Sequence, residues 1–548
     1  MKKITKIALG LLTALLLFSA FRAEERYFEI AKNLDIFATL YREVNTYYVD
    51  DINPTKTINR GIDAMLASLD PYTNYISEDR IEDYRTMTTG EYGGIGASIS
   101  TRNGKTMVAM PFEGFPADKG GLKIGDVILS IDGVNLSGKT SDDVSKLLKG
   151  QAGTSVDLTI ERYGVSEPLA FTLDREKIHI DNVTYKGMVT EDVGMIHLTD
   201  FTNNASKEVK SALLDLKEKG AEKIILDLRG NPGGLLYEAI NISNIFLPKS
   251  SEIVSTKGKV EEWNKSYFAL NQSVDEEIPL VVLVNRGSAS ASEIVAGSIQ
   301  DYDRGVVIGE NSYGKGLVQA TRSLTFNSKL KVTVAKYYIP SGRCIQAIDY
   351  SHRNPDGSVG KVPDSLRVAY KTQNGRVVYD GGGIKPDVEI ERELFAPITQ
   401  SLLSKNLIFD YANKYAAEHP EIAPAKEFAL TDTEYAAFLK WLEGKSYDYT
   451  TDVERTIDDL EATAREEGSL GDLQDKIEGL RAAVSHDKTQ DLKDFKDEIR
   501  ETLEREIAMR YYLATGGVEA TFDDDLEVQA ALKLFEDEKK FDQILGDK

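Results

Sequence analysis

Apolar residues recur at three- and four-residue spacing through "FEIAKNLDIFATLYREVNTYYV", residues 28–49, which is the period of an amphipathic helix. Helical patterning continues to about Arg85, interrupted by the proline turn "LDPYTNYIS". From about Thr89 to Arg162 the period shortens to two. "GASIS", "TMVAMPF", "DVILSIDG" and "SVDLTIER" predict short strands between glycine turns, and "SDDVSKLLKG" predicts one helix closing on Gly150. From about Gly164 to Arg392, strands such as "GMIHLTDF", "KIILDLR" and "IPLVVLVN" alternate with helical stretches, an α/β pattern. Beyond Leu394 the chain is acidic, helix-rich and almost free of glycine except at "ATGG" near Gly516. Five regions follow: a leader (1–24), an N-terminal helical region (25–88), a β-rich module (89–163), an α/β core (164–393) and an acidic helical region (394–548). The expected class is multidomain α+β.

The leader changes where such a chain would work. "MKKITK" is a basic segment, and "IALGLLTALLLFSAF" is an apolar run of signal-peptide length. "SAFRAEE" offers a poor cleavage site, so an uncleaved anchor in the inner membrane is the alternative to a signal peptide; no cysteine follows to take a lipid. Either reading exports the remainder, and a bacterial periplasm fits. A net charge of −23 argues against nucleic acid or an anionic membrane surface as partner. The single cysteine, Cys344, forms no intrachain disulfide and reads as a buried small residue. Five scattered histidines, without C-x-x-C or H-E-x-x-H, predict no metal site.

Two stretches carry candidate chemistry. "GENSYGKGLVQ", Gly309–Gln319, nearly spells a phosphate-binding loop. That loop needs a hydroxyl after the lysine and a helix beyond it; here Gly316 follows Lys315, and "LVQATRSLTF" reads as a strand, so a nucleotide is not expected. Upstream, "IPLVVLVNRGSASASEIVAGSIQDYDRG" reads as strand, turn and helix, with Ser290 to Glu293 spelling a capping box. Ser290 either caps this helix or is a nucleophile beside free backbone N–H groups that stabilise an oxyanion. It is not flanked by the glycines of a G-x-S-x-G nucleophile elbow. On these residues alone both readings stay open.

The long stretch "NRGSASASEIVAGSIQDYDRGVVIGENSYGKGLVQ" closely resembles the signature of the C-terminal processing peptidases, or tail-specific proteases. "DLRGNPGGLL", "KYYIPSGRCIQ" and "DGGGIKPDVEI" resemble further blocks of that family, as do "LDPYTNYI" and "YGGIGASI". The likeness runs from about Leu34 to Arg392 and leaves the acidic C-terminal region outside. It implies an α/β protease core of the crotonase-like, tail-specific protease fold, a Ser/Lys dyad and no cofactor. Ser290 would be the nucleophile and Lys315, twenty-five residues on, the general base. A lysine serves as base only when neutral, which burial favours. Gln319, on the same face of an extended "KGLVQ", would orient the amine without adding charge.

The oxyanion hole would take the N–H of Ala291 and one from the "RGNPGG" turn, at Gly233 or Gly234. Asp301 matches an acidic family position, yet eleven residues of helix from Ser290 put it about 16 Å away, so an auxiliary or structural role is expected. His197, Asp227 and Ser290 form the rival triad in the order His…Asp…Ser. Residues 89–163 resemble a PDZ domain, with the N–H groups of Gly94, Ile95 and Gly96 taking a terminal carboxylate and the peptide adding as an edge strand. The implied partners are C-terminal tails of envelope or exported proteins, with an adaptor or a second copy of the chain as further candidates. A catalytically inactive PDZ scaffold is the alternative function, and an acyl-CoA enzyme of crotonase type a third.

Overall fold

The computed structural model describes residues 27–391, 394–484 and 488–546; the predicted leader lies outside them. No described helix is long and apolar enough to cross a membrane. The chain forms two compact units, and the first combines residues up to Glu78 with Gln319–Thr333. Residues 27–47 are helical, and a second helix, Pro54–Ala67, starts where Asn53 accepts the Lys56 N–H and Pro54 fills the first turn. The "LDPYTNYI" turn closes on Asp70, whose Oδ1 accepts the N–H groups of Tyr72 and Thr73, each at 2.8 Å. It delivers the strand Asn74–Ile76, which pairs antiparallel with Lys329–Lys331.

The second unit, Asp79–Val318 with Val334–Lys548, holds the rest. Its β-rich module is an antiparallel sheet in the order Ala97–Arg102, Lys105–Pro111, Val127–Ile131, Ser155–Glu161, Leu169–Asp174. The helix Ser141–Leu148 covers it, begun by a Thr140–Asp143 capping box. The last strand lies beyond residue 163, where the sequence pattern ends the module. Gly164, at φ 78°, lets the chain double back, so six residues of "LAFTLD" pair with Ser155–Ile160.

The α/β core is a six-stranded sheet: β1 (Val183–Met188), β2 (Val193–Leu198), β3 (Lys223–Asp227), β4 (Leu280–Val284), β5 (Val306–Gly309) and β6 (Val388–Glu389), in that spatial order. β1 is antiparallel to β2 and every other pairing is parallel. Side chains alternate between faces, and the two faces have different covers. Ile196, Leu226 and Val282 pack against helices α1 (Ala205–Glu218), α2 (Leu236–Phe246) and α3 (Ala291–Asp301). Met195, Ile225, Val281 and Leu283 pack against Val528, Ala531, Leu534 and Phe535. These belong to α5 (Leu526–Glu536), which follows the long, kinked α4 (Lys496–Glu519) in the acidic C-terminal region. Covering both faces explains why all five residues of β4 are apolar and buried. The C-terminal region therefore completes the core, and its other helices gather around Leu402, Ile408, Phe438 and Leu503.

Candidate active site

The turn Asn285–Ser290 connects β4 to α3, and Ser290 is its last residue, half-buried, at φ 56° and ψ −109°. A positive φ on a non-glycine residue stores roughly 1–3 kcal/mol of strain, a cost concentrated at functional sites. The geometry is that of a strained strand-to-helix elbow, although the flanking glycines of the familiar motif are missing. Room comes from across the gap instead. At Gly233 a Cβ would lie 2.8 Å from the Ser290 Cβ, 2.8 Å from the Ala291 N and 2.6 Å from the Ala289 O. Only a glycine permits this approach, and its φ of 94° favours glycine too.

Hydrogen bonds sew the two turns together. Ala289 N–H donates to Asn231 O at 3.0 Å, Ser292 Oγ donates to the same oxygen at 2.9 Å, and Ser288 Oγ donates to Leu228 O at 2.8 Å. Asn285 Oδ1 accepts the N–H groups of Gly230 and Gly287, both at 2.9 Å. Of the two candidate glycines, buried Gly233 already gives its N–H to Asn231 Oδ1 at 2.9 Å. The N–H groups of exposed Gly234 and of Ala291 have no hydrogen-bond partner among the described residues.

Ser290 and Lys315 are joined through a third residue. Glu293, fully buried in the first turn of α3, accepts the Ser290 N–H at 2.8 Å and the Lys315 N–H at 2.9 Å on the same oxygen, Oε2. Its Oε1 accepts Gly314 N–H at 2.7 Å and Ser312 Oγ–H at 2.5 Å. Burial pushes this carboxyl upward in pKa, and the four donors pull the other way. On the opposite side, the buried Tyr337 hydroxyl is shared between Lys315 O at 2.7 Å and Ser290 O at 3.1 Å. One carboxylate and one phenol thus hold the backbones of two residues twenty-five positions apart. Lys315 is half-buried, and its flanking glycines are needed. A Cβ on Gly314 would come within 2.3 Å of the Ala347 Cβ, and one on Gly316 within 2.8 Å of the Gln346 N.

The chain's family follows from comparison with known proteins. Residues 192–353 match peptidase family S41, residues 113–162 match a PDZ domain, and residues 398–535 match the C-terminal helical domain of a probable PDZ-protease. Over 321 residues the chain is 40% identical to a carboxy-terminal-processing protease of Bartonella bacilliformis, spanning 58% of this chain and 73% of that relative. The chain belongs to the carboxy-terminal-processing proteases of family S41. This peptidase is also 37% identical over 357 residues to a probable CtpA-like serine protease of Staphylococcus aureus, covering 64% of its own length and 70% of the relative's. Among solved structures, a photosystem II D1 C-terminal processing protease matches with 28% identity and a TM-score of 0.36, covering 66% of the peptidase and 93% of that chain. The peptidase is a serine-type enzyme with a PDZ domain, an S41 core and a helical C-terminal domain.

The remaining candidates divide. Gln319 belongs to the first unit, where its Nε2 donates to Thr333 Oγ1 at 3.3 Å. The strand carrying it begins only at Leu317, so Lys315 precedes the extended segment instead of lying within it. Asp301 closes α3 as a buried residue, accepting Ser341 N–H at 2.9 Å and lying 2.9 Å from Arg343 Nη2. That contact is close but not aligned as a directed hydrogen bond, since Asp301 Oδ1 lacks one. This is a structural setting. The rival triad separates: His197 and Asp227 point to the sheet face covered by α5, whereas α3 packs on the other. His197 Nδ1 lies 3.2 Å from Thr184 Oγ1, and Asp227 is gripped by Arg229. His197, Asp227 and Arg229 line a cavity of about 700 Å³ that neither Ser290 nor Lys315 borders.

In the PDZ domain, the carbonyls of Ile95 and Gly96 accept Ala117 and Phe112 N–H at 2.8 Å each, while their own N–H groups have no partner among the described residues. Gly94 ends the strand Glu91–Gly94. The strand that follows, Ala97–Arg102, is an edge of the PDZ sheet. His179, Asp181 and Glu208 form a cluster of metal-ligand type. The Glu208 oxygens, however, accept Asn182 N–H, Asn182 Nδ2–H and Val183 N–H at 2.7, 2.8 and 3.0 Å, which makes it a backbone anchor. Sequence reasoning took Glu293 as a helix cap only and passed over Tyr337 and Asn231. The S-x-x-E spacing identified the carboxylate's bond to Ser290 N–H, but nothing local revealed its second set of donors.

Proposed function

We propose that this C-terminal-processing peptidase is an exported endopeptidase that captures protein tails through its PDZ domain and cleaves them with a Ser290/Lys315 dyad. The observation that carries this reading is the shared Glu293 carboxylate, which tethers the backbones of both residues. In the reaction, Lys315 Nζ, unprotonated, accepts the proton of Ser290 Oγ as that oxygen attacks the scissile carbonyl carbon. The oxyanion takes hydrogen bonds from Ala291 N–H and Gly234 N–H, which have no other partner among the described residues. Lys315 passes its proton to the departing amine, and a water molecule, deprotonated in the same way, releases the acyl group from Ser290. Asp301 supports α3 without entering the chemistry.

The PDZ loop at Gly94, Ile95 and Gly96 receives the free carboxylate of the tail, whose last residues pair with the open edge at Ala97–Arg102. The basic and apolar leader of the sequence supports action in the periplasm, on tails of envelope proteins. The test compares wild type and Ser290→Ala on a reporter ending in an unstructured apolar tail. Cleavage by wild type alone, with intact reporter retained by the variant, is the expected outcome. Equal behaviour of the two, with binding but no cleavage, would identify a peptide-holding scaffold instead.

A further inference from the structure

The turn that faces Ser290 is anchored from the far side of the sheet. Arg229 stands between Asp227, the last residue of β3, and the Gly230–Gly234 turn. Its guanidinium is largely buried and grips Asp227 through Nε (3.0 Å to Oδ1) and Nη2 (2.7 Å to Oδ2). The other edge of the same group reaches the C-terminal region: Nη1 lies 2.9 Å from Asp525 Oδ1 and 3.2 Å from Glu527 Oε2, and Nη2 lies 2.8 Å from Asp525 Oδ2. Asp525 also caps α5 by accepting Val528 N–H at 3.0 Å. Three carboxylates therefore surround one planar cation, and each holds it in a different direction.

From Arg229 the path to the reacting atoms is short. Gly230 N–H is fixed by Asn285, Asn231 O receives Ala289 N–H and Ser292 Oγ–H, and Asn231 Oδ1 receives Gly233 N–H. Arg229 is the ionic end of this chain of contacts, whose other ties are Asn231 Nδ2 to Leu198 O at 2.7 Å and Leu235 N–H to Phe201 O at 2.8 Å, while Pro232 and Gly234 at the tip of the turn are exposed. The C-terminal region adds two negative charges to an arginine already neutralised by Asp227. Holding α5 on the sheet does not require them, since Val528, Ala531, Leu534 and Phe535 already bury its apolar face.

We propose that Asp525 and Glu527 are positioning residues for hydrolysis: they lock Arg229, and through it the turn that presents the second oxyanion donor to Ser290. The proposal rests on the Ser290/Lys315 reading given above. It makes the helical C-terminal domain a part of the catalytic apparatus that never touches substrate.

The experiment uses the full chain carrying Asp525→Asn with Glu527→Gln. Asparagine preserves the cap on α5, and Glu527→Gln alone serves as the milder variant should the double one unfold. Cleavage of a tailed peptide, affinity for a separate short peptide whose scissile carbonyl is replaced by a terminal boronic acid, and thermal melting are measured together. The expected result is a ten- to hundred-fold fall in kcat with KM within about three-fold. The affinity for the boronate, which needs the oxyanion donors, should weaken by a matching factor while the melting temperature stays within a few degrees. Unchanged kcat in a folded variant overturns the proposal, as does a rise confined to KM, or a loss of activity that only tracks loss of fold in both variants. Should Ser290→Ala leave wild-type cleavage intact, the dyad reading itself fails, an outcome distinct from these.

Discussion

Replacing Glu293 by glutamine tests the core of the site at one atom. Four donors converge on the wild-type carboxylate, two on each oxygen. Glutamine keeps the volume but offers one accepting oxygen, so its NH2 must face one pair of donors. If the NH2 faces Ser290 and Lys315, two backbone N–H groups are stranded. If it faces Ser312 and Gly314, the Ser312 hydroxyl can turn to accept, and only Gly314 N–H is stranded. The second orientation wins, and one buried unsatisfied donor costs about 1–3 kcal/mol. Glu293→Ala removes the acceptor of all four, and each buried donor left unsatisfied costs about 1–3 kcal/mol. Stability measured in urea should therefore fall modestly for glutamine and severely for alanine.

Activity should separate from stability. The Gly314–Lys315 segment loses one of its two ties to α3 in Glu293→Gln. A displacement of even 1 Å at the base can cost about a hundred-fold in rate. Cleavage of a tailed peptide by the folded glutamine variant should drop at least ten-fold, in kcat more than in KM. A variant that melts like wild type and cleaves at the full rate would refute the view that this carboxylate holds nucleophile and base in register.

Gly233→Ala places a Cβ 2.8 Å from Ala291 N and 2.6 Å from Ala289 O. Labelling of Ser290 by a fluorophosphonate should slow about a hundred-fold, the scale of losing one oxyanion donor; an unchanged rate contradicts the close approach. Lys315→Ala should reduce peptide cleavage at least about a thousand-fold, while His197→Ala stays within about three-fold because its ring lies on the other face of the sheet. The reverse ranking in steady-state kinetics removes the lysine mechanism. Glu501 in α4 is pushed up to about 7 from its ordinary 4.5 by burial, then by Asp524, Glu504 and Asp497. Below pH 4.5 both folded and unfolded chains are protonated, so its contribution is fully present there and declines as pH rises to about 7. Melting temperatures of Glu501→Gln should accordingly gain on wild type across that window and keep a constant lead above it; parallel curves would show that the site is not proton-linked.

Much of this protein is legible along the chain because the information is local. Period-two runs and glycine turns mark the PDZ strands, and alternating apolar strands and helices mark the S41 core. "NRGSASASE" and "ENSYGKGLVQ" place Ser290 and Lys315 beside the glycines and the cap their backbones require. A phosphate loop is disfavoured locally too, by Gly316 after the lysine and by the strand pattern of "LVQATRSLTF". Three features lay beyond such reading, each because it depends on partners distant in sequence. Glu293 looked like a helix cap until folding brought Gly314 and Lys315 to its free lone pairs. That Gly233 N–H is taken while Gly234 N–H is not depends on a buried asparagine side chain, Asn231, whose reach across the turn no local pattern shows. The acidic C-terminal stretch carries no motif, and its place was set by burial: a parallel sheet has two apolar faces, the crossover helices cover one, and α5 covers the other with Arg229 as its ionic clasp.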